Sequence, residues 1–190
     1  LGLVELFHGD FGDAVAQCGK AFRMAERTGD LVLQARCLTY RAVAYRRLGD
    51  VPGCKTEAEK TLALAKGLKM VEYVAMAKAS LAWVGWRKKN EVEAEKLATE
   101  ALELWHGMED PYGMDWMALW PLIAMAFARK DIGRAIELAI GLLRDNQHPP
   151  PEKLSAAVRK ACKEWQNSIE KETTSGVAEA IKIAEELHYI

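Results

Sequence analysis

The clearest sign of the fold is the stretch Gly49-Asp50-Val51-Pro52-Gly53-Cys54, which places a short helix break five positions before a small residue. The same arrangement recurs three times, at Gly9-Asp10 before Ala14, at Lys89-Asn90 before Ala94 and at Lys130-Asp131 before Ala135. The breaks begin at residues 9, 49, 89 and 130, so the intervals are 40, 40 and 41 residues. A nearly constant period of this length is typical of one supersecondary unit that is used repeatedly.

Each unit has the pattern of two helices joined by a turn. Between Asp30 and Asp50, apolar residues recur at steps of three and four, and a second such stripe follows Gly49. Those steps place side chains on one face of a helix. Gly29-Asp30 is predicted to end one helix and cap the next, because Asp accepts from the free amides of a first turn. No strand pattern is visible, so the sequence predicts an all-α protein.

These features resemble the tetratricopeptide repeat, which has small residues where its two helices cross. The matching positions of four successive units hold Gly2, Ala14 and Ala21; Ala42, Cys54 and Thr61; Ala82, Ala94 and Ala101; and Ile123, Ala135 and Leu142. The period here is longer than the family's usual period of about 34 residues, and the proline that usually ends each repeat is missing. The resemblance implies a right-handed α-solenoid of about five helix hairpins with a concave face.

The predicted boundaries divide the chain into repeats, a linker and a cap. Four tetratricopeptide-like repeats cover about 1–29, 30–69, 70–109 and 110–144, and a proline-rich linker follows at 145–151. The segment 152–190 is predicted to form a C-terminal capping helix pair. Its first helix is expected at about 152–171, a turn at Thr173-Thr174-Ser175-Gly176, and a last helix at about 177–188.

The composition limits the class of partner. Of the 190 residues, 50% are hydrophobic and 28% are charged, and the formal net charge is −1. Nucleic-acid binders usually carry a clear basic excess, so we expect no nucleic-acid partner. No signal peptide is visible, and no apolar run approaches the roughly 20 residues of a membrane span. We therefore expect a cytoplasmic protein without a membrane segment.

Metal-binding and catalytic patterns are weak. The four cysteines (Cys18, Cys37, Cys54 and Cys162) form no C-x-x-C pair, so we expect reduced thiols in the core. Glu-x-x-His, the spacing of di-iron bundles, occurs at Glu5/His8, Glu103/His106 and Glu185/His188, but at helix ends and without facing acids. Nucleophile-elbow and phosphate-loop motifs are missing. We expect no metal, no cofactor and no enzymatic activity.

The resemblance also implies which residues meet a partner, because the first helix of each tetratricopeptide pair lines the concave groove. The matching positions are Arg36, Thr39, Val43, Arg46 and Arg47; Met76, Ala79, Trp83, Trp86 and Arg87; and Met117, Trp120, Ala124, Phe127 and Ala128. Trp and Arg often anchor interfaces. The alternative for Trp83, Trp86 and Trp120 is a place in the core between helices, and Pro121 can displace the helix start near Trp120.

Charge is distributed unevenly between the two helices of a unit. Every charged residue in 31–49, 73–90 and 116–130 is a cation, whereas the helix from Glu91 to His106 is acidic. A basic groove attracts an acidic ligand. The alternative is that most of these cations complement helix dipoles, since they cluster at helix C-terminal ends. Only Arg36, Arg41 and Lys78 lie elsewhere and need another explanation.

The predicted function is protein–protein interaction, with a peptide or protein segment that has apolar and acidic residues bound in the groove. The long repeats and the final helix pair are also similar to the C-terminal regions of large bacterial signalling proteins. The chain opens at Leu1 rather than Met, so we expect a fragment of such a protein. The alternative function is a sensor domain that encloses a small effector and regulates an attached output domain.

Overall fold

The all-α prediction is confirmed. The computed structural model describes residues 2–148 and 150–190, and within these residues there is no strand. The helices found there are α1 (Gly2–His8), α2 (Phe11–Thr28), α3 (Leu31–Arg47), α4 (Val51–Gly67), α5 (Val71–Arg87), α6 (Glu91–His106), α7 (Trp116–Ala128), α8 (Ile132–Gly141), α9 (Glu152–Gln166) and α10 (Glu170–Glu186).

The breaks that the sequence indicated all lie between helices. Gly49 adopts a left-handed φ of 73°, and Lys89 and Lys130 adopt φ values of 59° and 63°. After Gly49, the Asp50 amide donates to the Tyr45 carbonyl at 2.9 Å, which closes the end of α3. The Asp50 side chain then accepts from the Gly53 amide at 2.9 Å and caps α4. A helix end and the next helix start are thus specified within a few residues.

The first eight helices form two layers. Each helix packs against the next one along the chain, and α1, α3, α5 and α7 also pack against one another in that order. Among the described residues, α2, α4, α6 and α8 make no such contacts with each other. We call the first set the inner helices and the second set the outer helices. The small residues Cys54, Ala94 and Ala135 are completely buried where outer helices meet inner ones.

The inner helix α7 is buried on all sides. Every residue from Trp116 to Ala126 is buried, which fits a helix that is apolar around its whole circumference. Pro121 lies inside α7, and the helix begins at Trp116 and continues past it to Ala128. This helix therefore forms the centre of the core, between α5, α6, α8 and α10.

The turn predicted at Thr173-Thr174-Ser175-Gly176 is wrong, because these residues lie inside α10. The Thr173 hydroxyl donates to the Ile169 carbonyl at 2.8 Å, a bond that is compatible with a helix. A Cβ at Gly176 would lie 3.1 Å from the Ala161 Cβ, so this glycine permits the close crossing of α9 and α10. The turn is instead at Ser168, which has a φ of 59°, and α9 ends at Gln166.

The last helix pair joins the array in a different way from the preceding pairs. Its second helix, α10, packs against the inner helix α7 as well as α8, whereas its first helix, α9, packs against α8 and α10. After α10, His188 adopts a left-handed φ of 55° and the Tyr189 amide donates to the Ala184 carbonyl at 2.8 Å. This turn directs the following residues, Tyr189 and Ile190, onto the inner helices, where both are buried.

The tryptophans give a test of this packing. Trp83 has 0% of its surface exposed and Trp165 has 42% exposed. We expect Trp83→Ala to lower the free energy of unfolding by about 3–5 kcal/mol, because it removes a large side chain from a packed core. The matched control Trp165→Ala is expected to cost about 1 kcal/mol or less. Urea denaturation followed by circular dichroism measures both, and equal losses would contradict the assigned burial.

Candidate functional site

The predicted groove residues fall into two groups in the structure. Those buried in the core are Thr39, Val43, Arg46, Met76, Ala79, Trp83, Met117, Trp120 and Ala124. Those with accessible surface are Arg36, Arg47, Trp86, Arg87, Phe127 and Ala128. All of them lie on the inner helices α3, α5 and α7. Contact of these residues with a partner stays a prediction, but only the second group offers a surface without rearrangement.

Arg46 occupies the centre of the predicted groove and is completely buried. Its guanidinium donates to the Met117 carbonyl at 2.7 Å and to the Tyr189 carbonyl at 2.6 Å. The same group lies 5.8 Å from the centroid of the Trp83 ring and 5.2 Å from that of Trp116. Burial lowers the pKa of Arg46 to about 9, since the charged form loses its hydration. Carbonyl dipoles and ring faces replace part of that hydration.

The segment that follows α10, Leu187–Ile190, lies against the predicted groove. The Arg47 guanidinium sits 4.0 Å from the centroid of the Tyr189 ring. Trp116 meets the same ring edge-on, with centroids 5.0 Å apart. Arg87 approaches the Ile190 carbonyl at 3.5 Å. Three cations of the predicted groove (Arg46, Arg47 and Arg87) therefore contact residues of the chain itself.

A second part of the inner face is open. A cavity of about 490 Å³ lies between α1, α2 and α3, next to the loop that precedes α7. Its lining residues are mostly apolar or aromatic: Gly2, Leu3, Phe7, Gln17, Cys18, Ala21, Leu33, Arg36, Cys37, Tyr40, Tyr112, Met114 and His148. Cavities of this size commonly hold a small molecule or the anchoring side chains of a peptide. Among the lining residues, Arg36 is the only Lys, Arg, Asp or Glu.

Arg36, Arg41 and Lys78 are the inner-helix cations that lie away from helix C-terminal ends, and of these three Arg36 has a different kind of partner. Arg41 forms an ion pair with Glu57 of α4 at 3.1 Å, and Lys78 pairs with Glu100 of α6. Arg36 instead donates to the Tyr73 hydroxyl at 2.9 Å, and no carboxylate of the described residues lies within ion-pair distance. The hydrogen bond to Tyr73 raises the pKa of Arg36 above its usual value. Its positive charge is therefore available to a ligand in the cavity.

Residues distant in sequence complete the cavity wall. His148, in the linker, stacks on Phe7 of α1 with ring centroids 4.4 Å apart. The His148 amide donates to the Gly113 carbonyl at 3.0 Å, which fixes the linker beside Tyr112 and Met114. The sequence indicated neither Tyr112 nor His148, because both lie outside the repeats' helical pattern. Tyr40 and Cys37 were also missed, although each lies within one helical turn of the predicted Arg36.

All four cysteines are unpaired and buried. Cys18 and Cys37 line the cavity, and burial raises the pKa of Cys37 to about 11. Burial also raises the pKa of Cys54 to about 12 and those of Cys18 and Cys162 above the usual range. A thiol with a raised pKa is a poor nucleophile at neutral pH. These cysteines therefore act as small apolar side chains.

One of the three Glu-x-x-His pairs belongs to a tight cluster. Glu5, His8 and Asp10 have potential ligand atoms within 4.8 Å of one another at the end of α1. His8 and Asp10 are exposed, and the Asp10 amide donates to the Glu5 carbonyl at 2.9 Å as part of the helix end. In the second pair, His106 Nε2 lies 3.6 Å from a carboxylate oxygen of the buried Asp115. The cluster at α1 is explained by the turn that brings these residues together.

Searches of protein-family models, of curated proteins and of solved structures give no match to this chain. In the part of the chain that the structure describes, each helix is too short or too polar to cross a bilayer.

Thiol labelling tests the cavity wall. The labelling rate of Cys37 by iodoacetamide is expected to rise about tenfold per pH unit between neutral pH and pH 10, because its thiolate fraction rises in this way below a pKa of about 11. Cys54, which has 0% exposure, is expected to stay unlabelled in the folded protein. Mass spectrometry of tryptic peptides measures both sites, with urea-unfolded protein as the control. Rapid labelling of Cys54 at neutral pH would contradict its burial.

Proposed function

We propose that this chain is a protein-interaction module, a right-handed α-solenoid of about five tetratricopeptide-like hairpins that binds a partner segment on its concave inner face. The observation that carries the proposal is the open cavity beside α3, which combines apolar walls with the cation of Arg36. The similarity of the long repeats to those of bacterial signalling proteins supports a place in a regulatory protein of that kind.

The chemistry of the cavity supports a partner with both apolar and acidic residues. Leu3, Phe7 and Leu33 are more than a third exposed, so their apolar surface is available to a partner. Arg36 can bind a carboxylate through guanidinium N–H groups other than the one given to Tyr73. An apolar anchor beside an acidic residue would satisfy both features. The raised pKa values of all four thiols support binding rather than thiol catalysis.

Arg36→Ala is the direct test of this proposal. Charge-assisted hydrogen bonds contribute about 1.5–3 kcal/mol, so the variant is expected to bind acidic-apolar peptides about 10–100-fold more weakly. Fluorescence anisotropy with short peptides that carry Glu beside Leu or Phe measures the affinity. The matched control is Arg23→Ala, which removes an exposed cation from the outer helix α2.

Two outcomes would contradict this role of Arg36. One is an equal loss of affinity in Arg23→Ala, which would indicate non-specific attraction between charges. The other is undiminished binding by Arg36→Ala, which would place the peptide elsewhere. Peptides with Lys in place of Glu are expected to bind weakly to the wild-type chain and to Arg23→Ala, because Arg36 repels a second cation.

A small-ligand sensor is the second candidate, and the convergence of distant segments on the cavity favours it. α1, α3, the loop with Tyr112 and the linker residue His148 all contribute to the wall. A ligand that touches all of these segments would bind the closed arrangement better than an open one and would stabilise it. The chemistry of the wall fits an apolar carboxylate, with its chain against Leu33 and Phe7 and its charge at Arg36.

Thermal melting distinguishes the two candidates. A sensor is expected to melt at a higher temperature in the presence of decanoate but not of decylamine, because binding to the native state shifts unfolding. The shift should disappear in Arg36→Ala. A rise in melting temperature with acidic-apolar peptides and none with decanoate would support the interaction module and reject the sensor.

A further inference from the structure

The segment Leu187–Ile190 is held in the groove by contacts that a foreign peptide could reproduce. Its backbone supplies the Tyr189 carbonyl to Arg46 at 2.6 Å, and its side chain supplies an aromatic ring to Arg47 and Trp116. Backbone acceptors and an aromatic anchor are typical of peptide recognition on a helical scaffold. The segment therefore has the contacts of a ligand, although it belongs to the same chain.

In the described part of the chain, the segment leaves several buried hydrogen-bond donors of the groove without acceptors. The Arg46 Nε, Trp83 Nε1 and Trp120 Nε1 atoms are buried, and each lacks a hydrogen-bond acceptor among the described residues. Arg46 and Trp83 are in cation–π contact, and the Trp120 ring centroid lies 6.4 Å from that of Tyr189. These unpaired groups are all donors, and buried donors without acceptors are costly. A ligand with additional acceptor atoms can pair with donors that the segment leaves without acceptors.

The occupied part of the groove adjoins the open cavity. A small cavity of about 100 Å³ is lined by Tyr189, Arg47 and Trp116, and it shares Phe7, Met114 and His148 with the larger one. A partner segment that enters the open cavity and continues along the inner helices therefore meets Tyr189 first. Binding beyond this point requires the segment to leave.

We propose that Leu187–Ile190 is a cis-acting occupant of the groove, and that an acidic partner segment with an aromatic residue displaces it. The aromatic residue takes the place of Tyr189 between Arg47 and Trp116, and a neighbouring carboxylate accepts from the unpaired donors around Arg46. The inference rests on the proposed role of the inner face in binding a segment, but it concerns the groove centre rather than the cavity at Arg36.

The first test supplies the segment in trans. The probe is a fluorescent peptide with the sequence of residues 184–190, and the acceptor proteins are the wild-type chain, Tyr189→Ala and the conservative control Tyr189→Phe. Because Tyr189→Ala weakens the cis occupant, we expect it to bind the probe at least tenfold more tightly than wild type. Tyr189→Phe keeps the ring and is expected to behave as wild type. Equal affinities for the three folded proteins would overturn the proposal.

A second peptide tests the chemistry of the displacing partner. It carries the change Ile190→Glu, which places a carboxylate next to the tyrosine. We expect it to bind Tyr189→Ala at least tenfold more tightly than the unchanged peptide, because its carboxylate reaches donors that lack acceptors. A matched peptide with Ile190→Gln separates charge from shape. If the Glu peptide binds no better than the Gln peptide, an acidic partner is ruled out.

Hydrogen exchange of the wild-type chain tests displacement without depending on the stability of any variant. In the wild-type chain, the Tyr189 amide donates to Ala184 after a left-handed residue, as the Asp50 amide donates to Tyr45 at the end of α3. A saturating concentration of the Glu peptide is expected to speed exchange of the Tyr189 amide at least tenfold and to leave the Asp50 amide unchanged. A peptide that binds without this change, or that fails to bind at all, would overturn displacement.

The peptide-binding experiments also distinguish displacement of Leu187–Ile190 from binding in the cavity at Arg36. Arg36→Ala is expected to change the affinity of the 184–190 peptide less than twofold, because Arg36 does not contact Tyr189. A contrary result is that Arg36→Ala loses its affinity for foreign peptides while Tyr189→Ala binds them and the probe as wild type does. That result would leave the cavity as the binding site and would refute the cis occupant.

Discussion

The buried guanidinium of Arg46 is the interaction on which the arrangement of this chain depends. It stands on α3 and donates to carbonyls of α7 and of the segment after α10, while its plane lies near Trp83 of α5. A buried charge without a carboxylate is expensive, so Arg46 needs acceptors around it, from the chain itself or from a bound partner. This requirement links three inner helices to a segment at the other end of the sequence. It also explains why the centre of the predicted groove is closed, although α1, α3, α5 and α7 pack against one another in order.

Glutamates of the outer helices pair with some of the remaining cations of the inner helices and, among the described residues, leave others without an acidic partner. The acidic residues Glu57 and Glu100 on α4 and α6 neutralise Arg41 and Lys78, and Glu95 pairs with Arg129 at 2.9 Å. Glutamates of the outer helices α4 and α6 therefore neutralise part of the positive charge of the inner helices. Arg36 is left with a neutral partner and faces a cavity. The proposed binding of an acidic partner therefore depends on Arg36 and its apolar surroundings rather than on the charge of the whole face.

The sequence pattern predicted helix boundaries better than it predicted surfaces. Gly49-Asp50, Lys89-Asn90 and Lys130-Asp131 mark helix ends because capping and left-handed turns depend on residues a few positions apart. Thr173 to Gly176 gave a misleading signal, since threonine and glycine are common in turns but here serve a close helix crossing. Residues chosen by repeat position, such as Met76 and Trp83, proved to be fully buried. Position on a helix face does not show whether a neighbouring segment covers that face.

By itself, the sequence determined that the chain is all-α, that its helices come in pairs with a period of about 40 residues, and which small residues lie where the helices cross. These properties follow from backbone preferences and steric size, which act locally. The folded structure was needed to show that Leu187–Ile190 covers Arg46, that Tyr112 and His148 complete a cavity with Arg36, and that Arg41, Lys78 and Arg129 pair with acids. Arg46 and Tyr189 are 143 positions apart, and no local preference encodes a contact over that separation. It arises because the packed helices bring together surfaces whose charges and apolar groups need each other.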